Sequence, residues 1–330
     1  MATKTAENIT LTDKQPVATA ITAIQDAELK AQVIGEKFVD NLVNLYIKMK
    51  GIELANMPND VRSRLFNIYF GIQRAMTKIN EEKAASDPIC NWNTIVNRDE
   101  LYEKAVHCAE IGLDMKMDNH LYAVIRKQKG KVLNEKDLEI EKDAIGWTCT
   151  LQEGYLGKKY VAEKYADDDY LGSIIELVYS NDKFAIKKKS ISNVVENYDF
   201  EVTNPFDRGE IVGGFGYIQY EDSTKNKLVT MSKKDIDKRK DSANMKVMWS
   251  NWYEEQAEKT LIGYVFSKKN FKRDPKKIDD SIRRLDELEV KEQLLLASEP
   301  TDNKQPTLPV IDIPPPEGVE GEVAETGELF

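Results

Sequence analysis

Histidine and cysteine are nearly absent from this chain: His107 and His120 are the only imidazoles in 330 residues, and Cys90, Cys108 and Cys149 the only thiols. Zinc modules of the common kinds need four such ligands at short, repeated spacings. None of these residues has that spacing, so a His/Cys zinc site is excluded. A small, odd cysteine count also excludes a disulfide scaffold and suits a reducing compartment. Long apolar runs are missing too. The longest, at 213–218 and 294–297, fall far short of the ~18 residues that a membrane span needs. The first thirty residues lack the basic-then-apolar pattern of a secretory signal. A soluble, cytoplasmic chain with no membrane partner is the expectation.

The usual signatures of catalysis are lacking as well. There is no Gly-x-x-x-x-Gly-Lys-Ser/Thr phosphate loop, and no Gly-x-Ser-x-Gly nucleophile elbow. Gly213-Gly214-Phe215-Gly216 has neither the third glycine nor the following helix of a dinucleotide fingerprint. Inside a strand pattern, those glycines mark a close approach of another element to the backbone. Asp167-Asp168-Asp169 could chelate a divalent cation, as in a metal-dependent nuclease, but no second acidic cluster is placed beside it, and a solvated turn is the better reading. ATP-driven work and covalent catalysis both lose support. Binding remains: not an enzyme, with no metal and no cofactor required.

What is present is charge, unevenly placed. The formal net charge is −10, which by itself argues against a nucleic-acid partner. Residues 299–330, however, hold eight acids against the single base Lys304, whereas 225–278 hold fifteen bases against seven acids. The basic block includes Lys233-Lys234, Lys238-Arg239-Lys240, Lys268-Lys269 and Lys272-Arg273, interleaved with Trp249, Trp252, Tyr253, Tyr264 and Phe271. A basic, aromatic-studded centre beside an acidic tail is a domain-level signal that the total conceals.

Apolar periodicity predicts helices over 28–50, ended by Gly51, from Pro58 to about 80, and over 98–111, ended by Gly112. Strand patterns follow at 121–127, 146–151, 173–179, 184–188, 211–220 and 227–231, with a charged loop or hairpin tip at 128–143. Helices are predicted after Gly154-Tyr155-Leu156-Gly157, after a Ser232 cap, over 249–266 as one long helix, and over 278–298. The Pro-rich, acidic 299–330 segment cannot form a packed core and reads as a disordered tail. The predicted class is α+β: N-terminal helices, a central, mostly antiparallel twisted sheet with packed helices, then a C-terminal helix.

Several stretches resemble one known family. Cys108-Ala109-Glu110-Ile111-Gly112-Leu113-Asp114, followed by Tyr122-Ala123-Val124, is similar to a C-A-x-x-G-L block of the RecT/Redβ single-strand annealing proteins of phages and prophages. Gly154-Tyr155-Leu156-Gly157 is similar to that family's G-Y-x-G. Trp249 to Lys268, with Trp252, Glu254-Glu255, Ala257, Lys259-Thr260, Ile262 and Phe266, resembles its W-x-x-x-W-E-E-x-A-x-K-T-x-I. Arg208-Gly209-Glu210-Ile211 and Met231-Ser232-Lys233 fall in the same order, and the likeness spans about 28–290. Where the family usually carries two arginines, this chain has Gly263-Tyr264.

The resemblance implies ATP-independent binding of single-stranded DNA, annealing of complementary strands in homologous recombination, and homo-oligomerisation as a ring or helical filament. It implies partnership with single-stranded and annealed duplex DNA, with a 5′→3′ exonuclease, and with a host single-strand-binding protein. A generic single-strand-coating protein without annealing activity is the alternative. Phosphate-lining cations would let two like-charged strands approach without fuel. The expected DNA contacts are Lys259, Thr260 and Arg208, then Trp249, Asn251, Tyr155, Lys187, Lys189, Arg239 and Lys233. For Trp249 and Tyr155 core packing is an equally good reading, and for Lys259 an ion pair with Glu255. The expected division is a flexible 1–27, a helical region 28–111 making inter-subunit contacts, an α+β DNA-binding and annealing core 112–298, and the acidic tail 299–330. That tail, ending in Glu328-Leu329-Phe330, would serve as a competing polyanion or as a peptide for a partner's pocket.

Overall fold

The structure is a computed structural model that describes residues 37–129, 145–187, 194–242 and 246–298. The 1–27 segment, nearly all of the 128–143 loop, Lys189 and the 299–330 tail lie outside the described residues. The class is α+β, with the strands divided among three antiparallel sheets.

Three helices open the described chain: α1 (37–50), α2 (Asn59–Glu82) and α3 (Arg98–Ile111). Each exists because one stripe is apolar at helical spacing. Phe38, Leu42 and Tyr46 on α1 and Val61, Leu65, Ile68, Ile72 and Met76 on α2 are all buried. Their ends are set by backbone chemistry. Gly51 takes φ 62° after α1, and Gly112 takes φ 94° after α3, where Leu113 N–H turns back to the Cys108 carbonyl at 2.9 Å. The hairpin β1 (Leu121–Lys129) and β2 (Ile145–Glu153) lies on these helices, pairing Ile125 with Cys149. The C-terminal helix α8 (Asp280–Ser298) covers α3 through Lys104–Glu292, Arg284–Glu103 and Lys291–Glu100 ion pairs, with Ile282 and Leu285 below them.

A second core forms around β3 (Tyr170–Tyr179), β6 (Ile211–Tyr220) and β7 (Lys227–Ser232), in the order β3-β6-β7. The remaining elements are α4 (Tyr155–Lys164), the ribbon β4 (Lys183–Ile186) and β5 (Tyr198–Glu201), and helices α5 (Lys233–Ser242), α6 (Lys246–Asn251) and α7 (Tyr253–Val265). Successive residues of β6 point to opposite faces, and each face carries a different layer. Phe215 stacks on Phe184 at 4.8 Å and meets Tyr198 at 4.5 Å, both from the β4–β5 ribbon. Gly214 and Gly216 face α7. A methyl at Gly214 would come 2.6 Å from Leu261 Cδ2, and one at Gly216 2.3 Å from Val265 Cγ2. The strand glycines therefore exist so that a helix can lie on the sheet, as their strand-like setting predicts. Helix α4 serves both cores: Val161 and Tyr165 pack into the first, Ala162 and Ala166 into the second.

Two local expectations change. The run 249–266 is not one helix, because Trp252 leaves helical geometry (φ −136°, ψ 49°) and separates α6 from α7. The strand β5 is not predicted by the sequence pattern, since four residues of alternating aromatic and acid are too short a run. The triple aspartate is an ion-paired turn: Lys225 Nζ lies 2.9 Å from Asp169, and Lys277 Nζ 2.7 Å from Asp168.

Candidate nucleic-acid interface

Helix α7 is the centre of the candidate surface. Ala257, Leu261 and Val265, spaced by four, form its buried stripe over the sheet. Trp252, Gln256, Lys259 and Gly263 recur at i, i+4, i+7 and i+11, which puts them together on the opposite side. Trp252 is 54% exposed. Lys259 is half-buried and, among the described residues, makes no ion pair, with Glu255 or with any other acid. Thr260 sits at the edge of the same face. The break at Trp252 decides the rest: it turns Trp249 inward, where it is buried and meets Tyr253 edge-on at 5.8 Å. Asn251, at the end of α6, is exposed.

The far end of this stripe meets the start of α4. The Gly154-Tyr155-Leu156-Gly157 stretch is glycine at both ends because a methyl at either position would lie 2.0 Å from a carbonyl oxygen, that of Asn119 or of His120. Asn119 itself takes φ 56°, and its carbonyl accepts from Gly157 N–H at 3.2 Å. This close seating brings Tyr155 to 3.9 Å from where a side chain on Gly263 would begin. Lys158 and Lys159 follow on α4, and Lys159 Nζ stands 5.8 Å from the Phe266 ring centroid. Tyr122 on β1, 42% exposed, donates to Asn119 Oδ1 beside them.

Helix α5 packs against the side of α7 through aromatic faces. Ser232 caps it, its Oγ accepting from Asp235 N–H at 3.2 Å. Lys233 Nζ lies 2.7 Å from Asp237 and 5.2 Å from the Tyr253 ring centroid, with Lys240 over the same ring at 5.5 Å. The Asp237 carboxylate holds the Lys233 ammonium above its ordinary value, and Lys233 in return holds Asp237 low. Arg239 lies 5.0 Å over Tyr264, so a guanidinium from α5 stands beside the position where the resembled motif carries arginines. Of the basic block, Lys234, Lys246, Lys259, Lys269, Lys272 and Lys276 have no carboxylate partner among the described residues.

Other expected contacts sit elsewhere. Arg208 is built into the second core: its Nη2 lies 2.6 Å from Asp182, whose side chain is fully buried, and 2.9 Å from the Leu177 carbonyl. Its guanidinium also lies 4.1 Å over Tyr179. The Asp182 bond holds the Arg208 pKa up, and Arg208 holds Asp182 below the usual carboxylate range. Lys187 pairs with Asp199 across the β4–β5 ribbon at 2.8 Å. The structure thus brings Lys259, Thr260, Tyr155, Arg239 and Lys233 to α7 and its neighbours, and keeps Arg208 and Lys187 in pairs of their own. Trp252, Tyr122, Lys158 and Lys159 share this surface although they were not among the expected contacts. The spacing of Ala257, Leu261 and Val265 is the signal that could have exposed Trp252.

No helix among the described residues is long and apolar enough to cross a membrane. A search of curated proteins found no match. The RecT family model matches residues 72–271, well over half of the chain, and takes in β1–β2, α4, the second sheet and α7. The chain therefore belongs to the RecT family, single-strand annealing proteins of phage recombination.

Proposed function

We propose that the chain binds single-stranded DNA along α7 and the adjoining ends of α4 and α5, and anneals it to a complementary strand without ATP, oligomerising as it does so. The observation that carries the reading is Lys259: a cation on the outward stripe of α7, with no acid partner among the described residues, in line with exposed Trp252. Lys158, Lys234, Lys269 and Lys272 supply further uncompensated charge on the same or adjoining elements. Unpaired cations are what phosphate neutralisation requires, since each displaces condensed counterions. Aromatic faces accept any base, so binding through Trp252 and Tyr155 is indifferent to sequence. Specificity is then left to base pairing between the two strands. A 5′→3′ exonuclease would supply the single strand, and a host single-strand-binding protein would compete for it or deliver it.

Renaturation of two complementary oligonucleotides, followed by fluorescence without nucleotide or magnesium, tests this. Acceleration well above the spontaneous rate is expected. Retarded renaturation would instead identify a coating protein, and magnesium-dependent shortening of the oligonucleotide a nuclease.

A further inference from the structure

The loop between β5 and β6 holds Phe206 almost wholly in water, 97% exposed. The loop is nonetheless well tied. Phe206 N–H donates to Asn204 Oδ1 at 3.1 Å, Asp207 N–H to the Asn204 carbonyl at 3.2 Å, and Asn181 Nδ2 to the Asp207 carbonyl at 3.2 Å. Pro205 fixes one dihedral, and Arg208 anchors the loop's end to Asp182. A large apolar ring on a fixed stem loses little freedom when it is covered. Among the described residues, nothing covers it.

We propose that Phe206 is the knob of a contact between two copies of this chain, seated in the cavity between α2 and the start of β1 of the next copy. The proposal rests on the reading that the protein oligomerises, and it names the surface. DNA is a poor occupant for the knob, because Asp207 and Glu210 flank it without basic partners among the described residues and Asp182 already balances Arg208. The cavity is about 250 Å³ and is lined by Gly71, Met115, Met117, Leu121, Tyr122 and Ala123. That is below the ~300–1,000 Å³ of drug-sized ligand sites, and is on the scale of one aromatic ring. Gly71 lets the Met115 wall seat closely on α2, since a methyl there would lie 2.5 Å from Met115 Cε. Two methionines give the walls the adaptability that suits an incoming ring. Arg74 lines the mouth with no carboxylate partner among the described residues and so complements Asp207 and Glu210, whereas Lys116, on the turn that forms the cavity, stands between Asp114 and Asp118, which have no basic partner among the described residues either. Exposed Met117 (54%) and Phe70 (56%) leave apolar surface on that side for the neighbour to cover. Knob and hole are different surfaces, so each copy can give one and receive another, and the contact propagates into a ring or an open helix.

Cross-linking the full-length chain tests the proposal. Phe206→Cys with Met117→Cys, oxidised in the presence of oligo-dT, should give a ladder of covalent multimers on a denaturing gel. Neither single variant should, because the three native cysteines are buried. Phe206→Glu should leave the melting temperature unchanged and reduce the mean assembly size on oligo-dT several-fold, with Phe206→Leu restoring it. Oligo-dT binding without a ladder would overturn the contact and leave the annealing reading standing. A ladder without oligo-dT binding would support the contact and sink that reading. A ladder from either single variant, or Phe206→Glu assemblies of full size, would also overturn the contact.

Discussion

Arg208 and Asp182, twenty-six residues apart, form a forked ion pair inside the second core: both Nε and Nη2 donate to the carboxylate, the shortest bond being 2.6 Å, and the Asp182 side chain has no exposure. Removing one member of such a pair strands the other's charge, which costs about 3–5 kcal/mol in buried settings. Arg208 keeps 23% of its side chain in water, so the low end, about 3 kcal/mol, is expected for Arg208→Ala. Thermal melting should show the loss, and Asp182→Asn in the same chain should recover part of it. Because the folded-state pKa of Asp182 is lowered, the pair's contribution is present above the ordinary carboxyl value of ~3.9 and fades as pH falls through the lowered one. The gap between wild type and Arg208→Ala should therefore narrow below about pH 4. The slope of DNA binding against salt should stay where it was, as a guanidinium already bonded to a carboxylate releases no counterion.

Lys259 makes the opposite case. With no acid partner among the described residues, Lys259→Ala should leave melting nearly unchanged. Binding to oligo-dT and to mixed-sequence oligonucleotides should weaken alike, and the slope of log affinity against log salt should flatten by about one unit. An unchanged slope would remove Lys259 from the interface.

Gly157 tests why the Gly-Tyr-Leu-Gly stretch has its glycines. In an exposed helix, glycine to alanine gains about 1 kcal/mol from propensity. At Gly157 the new methyl would lie 2.0 Å from the His120 carbonyl oxygen, a backbone atom that cannot swing aside. Gly157→Ala should destabilise by about 1–3 kcal/mol, the usual cost of overpacking, read as a lower melting temperature. Binding should weaken with it, since α4 would be pushed off the 119–120 turn that seats Tyr155.

The elements were legible wherever their cause is local. A buried stripe at helical spacing placed α2 and α3 close to their observed ends, a left-handed glycine ended α1 and α3, and the apolar run 211–220 placed β6 residue for residue; the 28–36 part of the first predicted helix lies outside the described residues. Gly213-Gly214-Phe215-Gly216 could be read as a close approach, although which helix approaches could not. What remained hidden depends on distant partners. Asp182 gives no sign in the sequence that it would take Arg208, and nothing local says that Trp249 is buried, because the non-helical residue Trp252 separates α6 from α7. The sharing of α4 between two cores is likewise invisible in ten residues whose apolar positions are few.

The two histidines yield the last prediction. His107, on α3, lies 3.1 Å by Nδ1 from Ser281 Oγ of α8, and His120 packs at 4.8 Å against the Tyr160 ring; both are buried. Burial lowers both pKa values from the ordinary ~6.5. The folded chain therefore resists a proton that the unfolded chain accepts, so the unfolded state binds more protons as pH falls below ~6.5. Stability must then decline with falling pH from that point until each folded-state pKa is reached. Each histidine can contribute at most about 1.4 kcal/mol per pH unit in that window. Carboxylates held low, such as Glu103 beside Arg284 and Asp60 beside Arg64, act mainly below about pH 5, while Glu153, whose carboxyl burial pushes up, gains stability as pH falls and offsets part of the histidine loss. Melting temperature should therefore drop between pH 7 and pH 5.5, with His107→Asn plus His120→Asn removing most of that slope while lowering stability at neutral pH. A double variant whose melting temperature falls as steeply as wild type over that interval would place the pH sensitivity in other groups.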